Sequence, residues 1–259
     1  MGECSRIMDA PMMGHPMLER REWVHPTGRN PKSISIIALG PSKGDLLDVT
    51  TGHQPPAEIM DCDEVWGING GANHFGGIVA YDMLWVMDHL DGEAIREPRY
   101  MELVERWATR HESPIMTSQG GMWAAERPHL NIVEYPIIEI GRAFGPDNAY
   151  FHNSLPYMLA YALFIGVRQI LLWGADYSHE KSKRREEDRA NAEYWIGICR
   201  VLGMRILIPD TSTLCNADKG TYFYGYRDKP QLDQTQTRER RVALIEQTLE
   251  RLKSLFATQ

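Results

Sequence analysis

Cysteine is scarce in this chain and never paired. The four cysteines among 259 residues, Cys4, Cys62, Cys199 and Cys215, lie far apart and form no CxxC pair. Such spacing argues against a zinc site and against a disulfide framework, and it suits a reducing cytoplasm. Long apolar runs are missing too: none approaches the roughly 20 residues that a membrane-spanning helix requires. The N-terminus lacks the charged-then-apolar pattern of an export signal, so a soluble, cytoplasmic protein with no membrane span is expected. No GxSxG elbow and no HExxH pair occurs, and the nine histidines are scattered singly. Covalent serine chemistry and a zinc centre are therefore not expected, and no metal ligands are assigned. A formal net charge of −7 disfavours a tight nonspecific hold on nucleic acid, and an anionic small ligand would need local positive groups.

With 43% hydrophobic and 24% charged residues, the chain can bury one large core, and two full domains would be a tight fit. Residues 1–32 carry Met, Pro, Arg and His without a period and read as an arm, with Trp23 as its expected anchor. Residues 33–233 are the expected domain and 234–259 a C-terminal helix. From Arg238 to Phe256, Val242, Ile245, Leu249, Leu252 and Phe256 stand at heptad-like spacing. That stripe should pack on the domain or on a twofold neighbour, which leaves a homodimer open.

The most informative stretch runs from Asn153 to His179. Ser154 is read as the cap of a helix whose Pro156 sits in the first turn, where a missing amide hydrogen costs nothing. The helix body, Tyr157 to Ile165, is apolar nearly all round and so should be buried. Gly166 ends it in the left-handed region, and Gln169 to Trp173 is the short apolar run of a central parallel strand. Gly174 closes that strand. Asp176, Tyr177 and His179 follow at its carboxyl end, where open α/β sheets bind ligands.

Other strands end in the same manner. Ser33 to Leu39 leads into Gly40, Pro41, Ser42 and Lys43, a turn that is either an anion site or a plain strand-to-helix turn, being neither GxGxxG nor a Walker loop. Glu64 to Ile68 ends in Asn69 and a glycine run opening at Gly70, which lets backbone approach a ligand closely. Met83 to Met87 ends in Asp88-His89-Leu90-Asp91. Shorter strands are expected at Pro114 to Thr117 and Asn131 to Tyr135, with a helix at Arg99 to His111 and a long loop from Pro136 to His152. After His179 the run EKSKRREEDR reads as a solvated face, a lid or a phosphate contact. Ala192 to Leu202 is an amphipathic helix, and Arg205 to Ile208 a last strand leading into Thr211, Ser212 and Thr213. The YFYGY segment at Tyr222 to Tyr226 stacks on a flat ligand or forms a core-edge cluster. The alternation implies an α/β fold: a doubly wound, mostly parallel, Rossmann-like sheet with a C-terminal helix.

At the carboxyl edge Asp176 is the leading functional candidate. His179 could take a proton from an acceptor hydroxyl near neutral pH, and Asp88 is the third candidate. Asp88, Asp91 and Asp176 could hold Mg²⁺ beside phosphates if the fold joins their strand ends; capping a helix is the plainer role.

Three of these pieces resemble the Rossmann-like sialyltransferases of bacterial type and the related archaeal hydroxymethylpterin pyrophosphokinase-like family. They are IIALGPSKGD at Ile36 to Asp45, VWGIN at Val65 to Asn69, and NSLPYMLAYALFIGVRQILLWGADY from Asn153. In the last, Ser154, Gly166, Gly174, Asp176 and Tyr177 stand at the family's serine, turn glycine and Gly-x-Asp-Phe/Tyr places. Leu39 replaces the asparagine that usually precedes the GPS glycine. The resemblance implies a transferase that holds a nucleotide-activated donor, CMP- or UDP-linked, and passes a glycosyl-type group to an unidentified acceptor hydroxyl. It implies the nucleoside near Gly40, Ser42 and Asn69, with Pro41, Lys43 and Gly70 in the same loops. Phosphates or the transferred group would lie near Ser154 and Asp176, beside Gly174 and Tyr177. A Mg²⁺-dependent pyrophosphokinase is the alternative, and a non-catalytic nucleotide sensor a third reading.

Overall fold

A computed structural model describes residues 23–40, 61–69, 80–88, 112–145, 150–177 and 183–215, together with 102, 105, 106, 108 and 109. Pro41, Ser42, Lys43, Gly70, Asp91 and His179 lie outside the described residues, as do the YFYGY segment and the expected helix from Arg238 to Phe256. The chain divides into two compact units, Met1–Asp218 and Lys219–Gln259, and only the first contains described residues.

Seven short apolar runs form the strands: β1 (Ser33–Ile37), β2 (Glu64–Ile68), β3 (Met83–Val86), β4 (Ile115–Thr117), β5 (Ile132–Glu134), β6 (Gln169–Trp173) and β7 (Arg205–Leu207). They join into one sheet in the order β5-β4-β3-β2-β1-β6-β7, every pair parallel. Strands β3, β2, β1 and β6, each followed by small or polar residues, are contiguous within it. β2 and β3 are buried along their whole length, which a strand can be only if helices cover both faces, and that is why their sequences do not alternate.

The helices are α1 (Gly120–Glu126), α2 (Ile137–Phe144), α3 (Ser154–Ile165) and α4 (Lys183–Val201); residues 102, 105, 106, 108 and 109 are also helical. One face of the sheet, through Ile34, Ile36, Trp66 and Trp85, packs on α3 and α4. The other, through Ile37, Val65, Leu84 and Val86, packs on Ala108 and on Trp123 of α1. The chain winds outward from β1 to β5, then returns across the sheet and adds β6 on the far side of β1. Right-handed crossovers in opposite directions put their helices on opposite faces. α3 fills the centre of its layer: Met158, Leu159, Ala160, Tyr161 and Ala162 are 0% exposed, each large apolar side chain contributing about 1.5–3 kcal/mol.

The segment before β1 is held by a buried polar network at the amino end of the sheet. Trp23 Nε1 donates to the Tyr161 hydroxyl at 3.2 Å, and the two ring nitrogens of His25 bond Tyr161 Oη at 2.8 Å and Glu64 Oε2 at 3.0 Å. Glu64, the first residue of β2, also accepts from Thr27 Oγ1 at 2.5 Å and Trp66 Nε1 at 2.7 Å, and pairs with Arg29 Nε at 3.1 Å. Burial pushes its carboxyl group toward the neutral form, but the hydrogen bonds from His25, Thr27 and Trp66 outweigh that and hold its pKa below the ordinary value.

Four local expectations are corrected. The span Pro136 to His152 is not one long loop, because it contains α2, whose Ile140 faces the core. Helix α3 is capped by Asn153 rather than Ser154: the Asn153 side chain accepts from the Leu155 amide, and Ser154 is the first helical residue. The C-terminal half of the charge run is the beginning of α4, which starts at Lys183 rather than near Ala192. Helix α1, between β4 and β5, was not expected at all.

Candidate functional site

The reversal of strand order falls between β1 and β6, and in doubly wound sheets a crevice opens there at the carboxyl ends. Here those two ends are unusually close. The ladder continues past both strands: Ala38 N donates to Trp173 O at 2.8 Å and Gly40 N to Gly174 O at 2.7 Å. A Cβ built on Gly40 would lie 2.5 Å from Gly174 O and 2.5 Å from Asp176 Oδ2. Glycine is required at position 40 because the backbone of β6 and the Asp176 side chain occupy that space. Gly40, Gly174 and Asp176 of the expected site thus converge at the switch point.

Gly174 has φ 64°, which turns the chain off β6 and brings Asp176 across toward β1. Ser212 holds this turn from behind. Its hydroxyl, 1% exposed, donates to Ala175 O at 3.0 Å and accepts from Leu214 N at 3.1 Å.

Asn69 stands at the end of β2, beside β1. Its φ is 51°, a left-handed value that asparagine tolerates better than most residues. The backbone is fixed by Asn69 N donating to Trp85 O at 2.8 Å, and Nδ2 donates to Asp88 Oδ2 at 2.9 Å. Because an ionised carboxylate only accepts, this bond orients the amide with Oδ1 on the other side. That oxygen is buried and has no hydrogen-bond partner among the described residues. Leaving such an acceptor unpaired costs about 1–3 kcal/mol.

Asp88 serves Asn69 and is not brought to Asp176. Its carboxylate bonds Asn69 at the end of β2, whereas the Asp176 carboxylate lies against Gly40 at the end of β1. Among the described residues, no three His, Cys, Asp or Glu side chains group in a way that could hold a metal ion.

Asn153 ties three elements together. Beyond capping α3, its Oδ1 accepts from the Tyr177 hydroxyl at 3.1 Å and its Nδ2 donates to Asp188 O of α4 at 3.0 Å. Tyr177 is therefore positioned by the start of α3, next to Asp176. Ser154, only 8% exposed, contributes to this edge mainly through the backbone of the first turn. Asn153 and Ser212 were missed as positioning residues; the Asn-Ser pair before Pro156 was the available signal for the first. The histidine at this edge among the described residues is His152, exposed and next to Asn153.

No family model matches the chain, and no curated protein matches it. Among solved structures, the monofunctional α-2,3-sialyltransferase Cst-I of Campylobacter jejuni is similar at 15% identity over 91% of this chain and 98% of that one, with a TM-score of 0.49. The sialyltransferase CstII of the same organism, in complex with the substrate analogue CMP-3FNeuAc, is 16% identical over 71% and 83%, with a TM-score of 0.45. CstII with a trisaccharide acceptor and CMP is 12% identical over 81% and 98%, with a TM-score of 0.47. Identities this low carry neither substrate nor reaction from those enzymes to this chain.

Proposed function

We propose that the chain is a transferase of glycosyltransferase type that binds a nucleotide-activated donor, CMP- or UDP-linked, across the carboxyl ends of β2, β1 and β6. The observation that carries this reading is the oriented, buried Oδ1 of Asn69, without a partner among the described residues, at the end of β2 next to the β1 end where Asp176 meets Gly40. An amide oxygen of that kind suits an exocyclic amine of a base or a ribose hydroxyl. In this reading the nucleoside lies at Asn69 and Gly40 and the phosphate-linked group at Asp176. The start of α3 favours phosphate there, since the positive end of the helix dipole attracts an anion.

In this reading His179 takes the proton of the acceptor hydroxyl. The freed oxygen bonds to the anomeric carbon, and the bond from that carbon to the nucleotide phosphate oxygen breaks, the phosphate keeping the electron pair. Asp176 accepts a hydrogen bond from a hydroxyl of the transferred group, and Tyr177 is held beside it by Asn153. Pro41, Ser42, Lys43 and Gly70, next in sequence to Gly40 and Asn69, are assigned to nucleotide contact in this reading. The bond of Asp88 to Asn69 disfavours the Mg²⁺-dependent pyrophosphokinase built on Asp88 and Asp176.

Melting the protein with CMP, UDP, ADP and ATP, each with and without Mg²⁺, tests the reading. CMP or UDP alone, at about 100 times its Kd, should raise Tm by about 5–10 °C. A shift confined to ATP with Mg²⁺ would transfer the assignment to a pyrophosphokinase. No shift with any nucleotide would remove both.

A further inference from the structure

Just before α3, residues 150–153 lie against α4, and exposed and half-buried residues alternate along them. Phe151 turns inward and is stacked between Tyr157, with centroids 4.5 Å apart and planes at 17°, and Trp195, at 5.1 Å and 14°. Tyr150 and His152 turn outward. Tyr150 packs edge-on against His152 at 4.9 Å and 67°, and against Tyr194 of α4 at 5.7 Å and 80°. His152 is exposed, and Tyr150 and Tyr194 are 37% and 38% exposed.

The backbone under these rings is clamped. Asn191, 0% exposed, donates through Nδ2 to Tyr150 O at 2.6 Å and accepts through Oδ1 from His152 N at 2.7 Å, while Trp195 Nε1 adds a bond to Tyr150 O at 2.8 Å. A buried asparagine whose amide is given to one surface loop fixes ring positions that the core does not require. The next residue, Asn153, is the one bonded to Tyr177, so the cluster is continuous with the proposed transfer site.

We propose that Tyr150, His152 and Tyr194 form a saccharide-binding platform that holds the acceptor, a claim that rests on the transferase reading above. Tyrosine and histidine rings give rigid contact area with a polar tip, at little cost in side-chain entropy. Rings set edge-on to one another make a cup instead of a parallel slot. That shape suits a puckered pyranose, whose C–H face meets aromatic carbon while its hydroxyls meet the phenol and imidazole groups. A flat base would seek parallel faces. Tyr194 is six residues beyond Asp188 on α4, roughly 9 Å at 1.5 Å per residue, so the platform takes a sugar distal to the reacting hydroxyl and selects oligosaccharides over monosaccharides.

The test uses the full chain with glucose, lactose and maltotriose as probes, followed by ligand-observed NMR saturation transfer, with 3-fluorotyrosine incorporated to report the platform. Oligosaccharide binding should exceed that of glucose, perturb the tyrosine signals, and weaken about tenfold in Tyr150→Ala and Tyr194→Ala. Tyr194→Phe, which keeps the ring, should retain most of it. The CMP-induced shift in Tm should be the same in all these proteins. Binding of none of the saccharides, or equal binding by parent and alanine variants, overturns the platform even where CMP still binds. A change of oligomeric state in Tyr194→Ala with no saccharide effect overturns it in favour of a self-association surface. Loss of the CMP shift in the parent protein would instead overturn the transferase reading, leaving saccharide binding at the platform to be judged by its own signal.

Discussion

Single residues at the switch point have separable effects. Gly40→Ala puts a methyl group against a backbone carbonyl, which cannot move as a flexible side chain would. Overpacking of this sort costs about 1–3 kcal/mol, and because Asp176 must be displaced, nucleotide stabilisation should disappear as well. Asn69→Gly makes the opposite separation. Glycine accepts φ 51° without strain, so the melting temperature should stay within about 1 kcal/mol of the parent in stability. The buried acceptor is gone, however, and the nucleotide-induced shift should go with it; an unchanged shift would mean that Asn69 does not touch the ligand. Asp176 was legible in the sequence because a glycine-terminated apolar run already places it at a carboxyl edge. The bond from Asn69 to Asp88 was not, since it joins residues on different strands whose register only the folded sheet defines.

At the scale of elements, the sequence patterns that succeeded were those with one dominant period or none. α3 is apolar all round and bounded by Asn153 and Gly166, the latter at φ 83°, so both its burial and its ends were readable to within a residue. α2 was hidden because Pro136, Gly141, Gly145 and Pro146 break up an eight-residue stretch that is helical only once Ile140 has a core to enter. α1 is equally short and opens on two glycines. The first turns of α4 were obscured by charge: a dense run of both signs has no apolar stripe to betray a helix, and the stripe appears only where Ala192, Trp195, Ile196 and Cys199 reach the core. The capping residue is the testable joint between these elements. Asn153→Ala removes the cap and the contacts to Tyr177 and Asp188, and should lower stability by about 1–2 kcal/mol in urea unfolding. Asn153→Asp keeps the accepting oxygen and should recover the capping part. If the alanine variant is as stable as the parent, Asn153 does not tie α3 to its neighbours.

For the whole molecule, the two ends of the sheet divide the work. The amino end carries a buried, hydrogen-bonded network around Glu64; the carboxyl end carries Asn69, whose Oδ1 has no partner among the described residues, and Asp176 beside the Gly40 backbone. The Glu64 pKa is lowered in the folded state, so between the folded and ordinary values the unfolded chain binds more protons and stability rises with pH. Its contribution is complete above the ordinary value of 4.5 and is lost as pH falls below that, through the folded value. Glu64→Gln should therefore destabilise the protein at neutral pH by about 3–5 kcal/mol, as expected when a buried pair loses one charge. It should also flatten the acid limb of a plot of Tm against pH. Nucleotide stabilisation, measured at a temperature where the variant is folded, should survive. Asp176→Asn should behave in reverse: it keeps the size of the side chain and most of its hydrogen-bond acceptance, so the protein should stay folded, while nucleotide-dependent stabilisation, turnover or both are lost. If Asp176→Asn still responds to nucleotide and turns over a sugar nucleotide like the parent, Asp176 is a structural carboxylate. If instead Glu64→Gln abolishes the nucleotide response while remaining folded, the two ends are coupled and the division of labour fails.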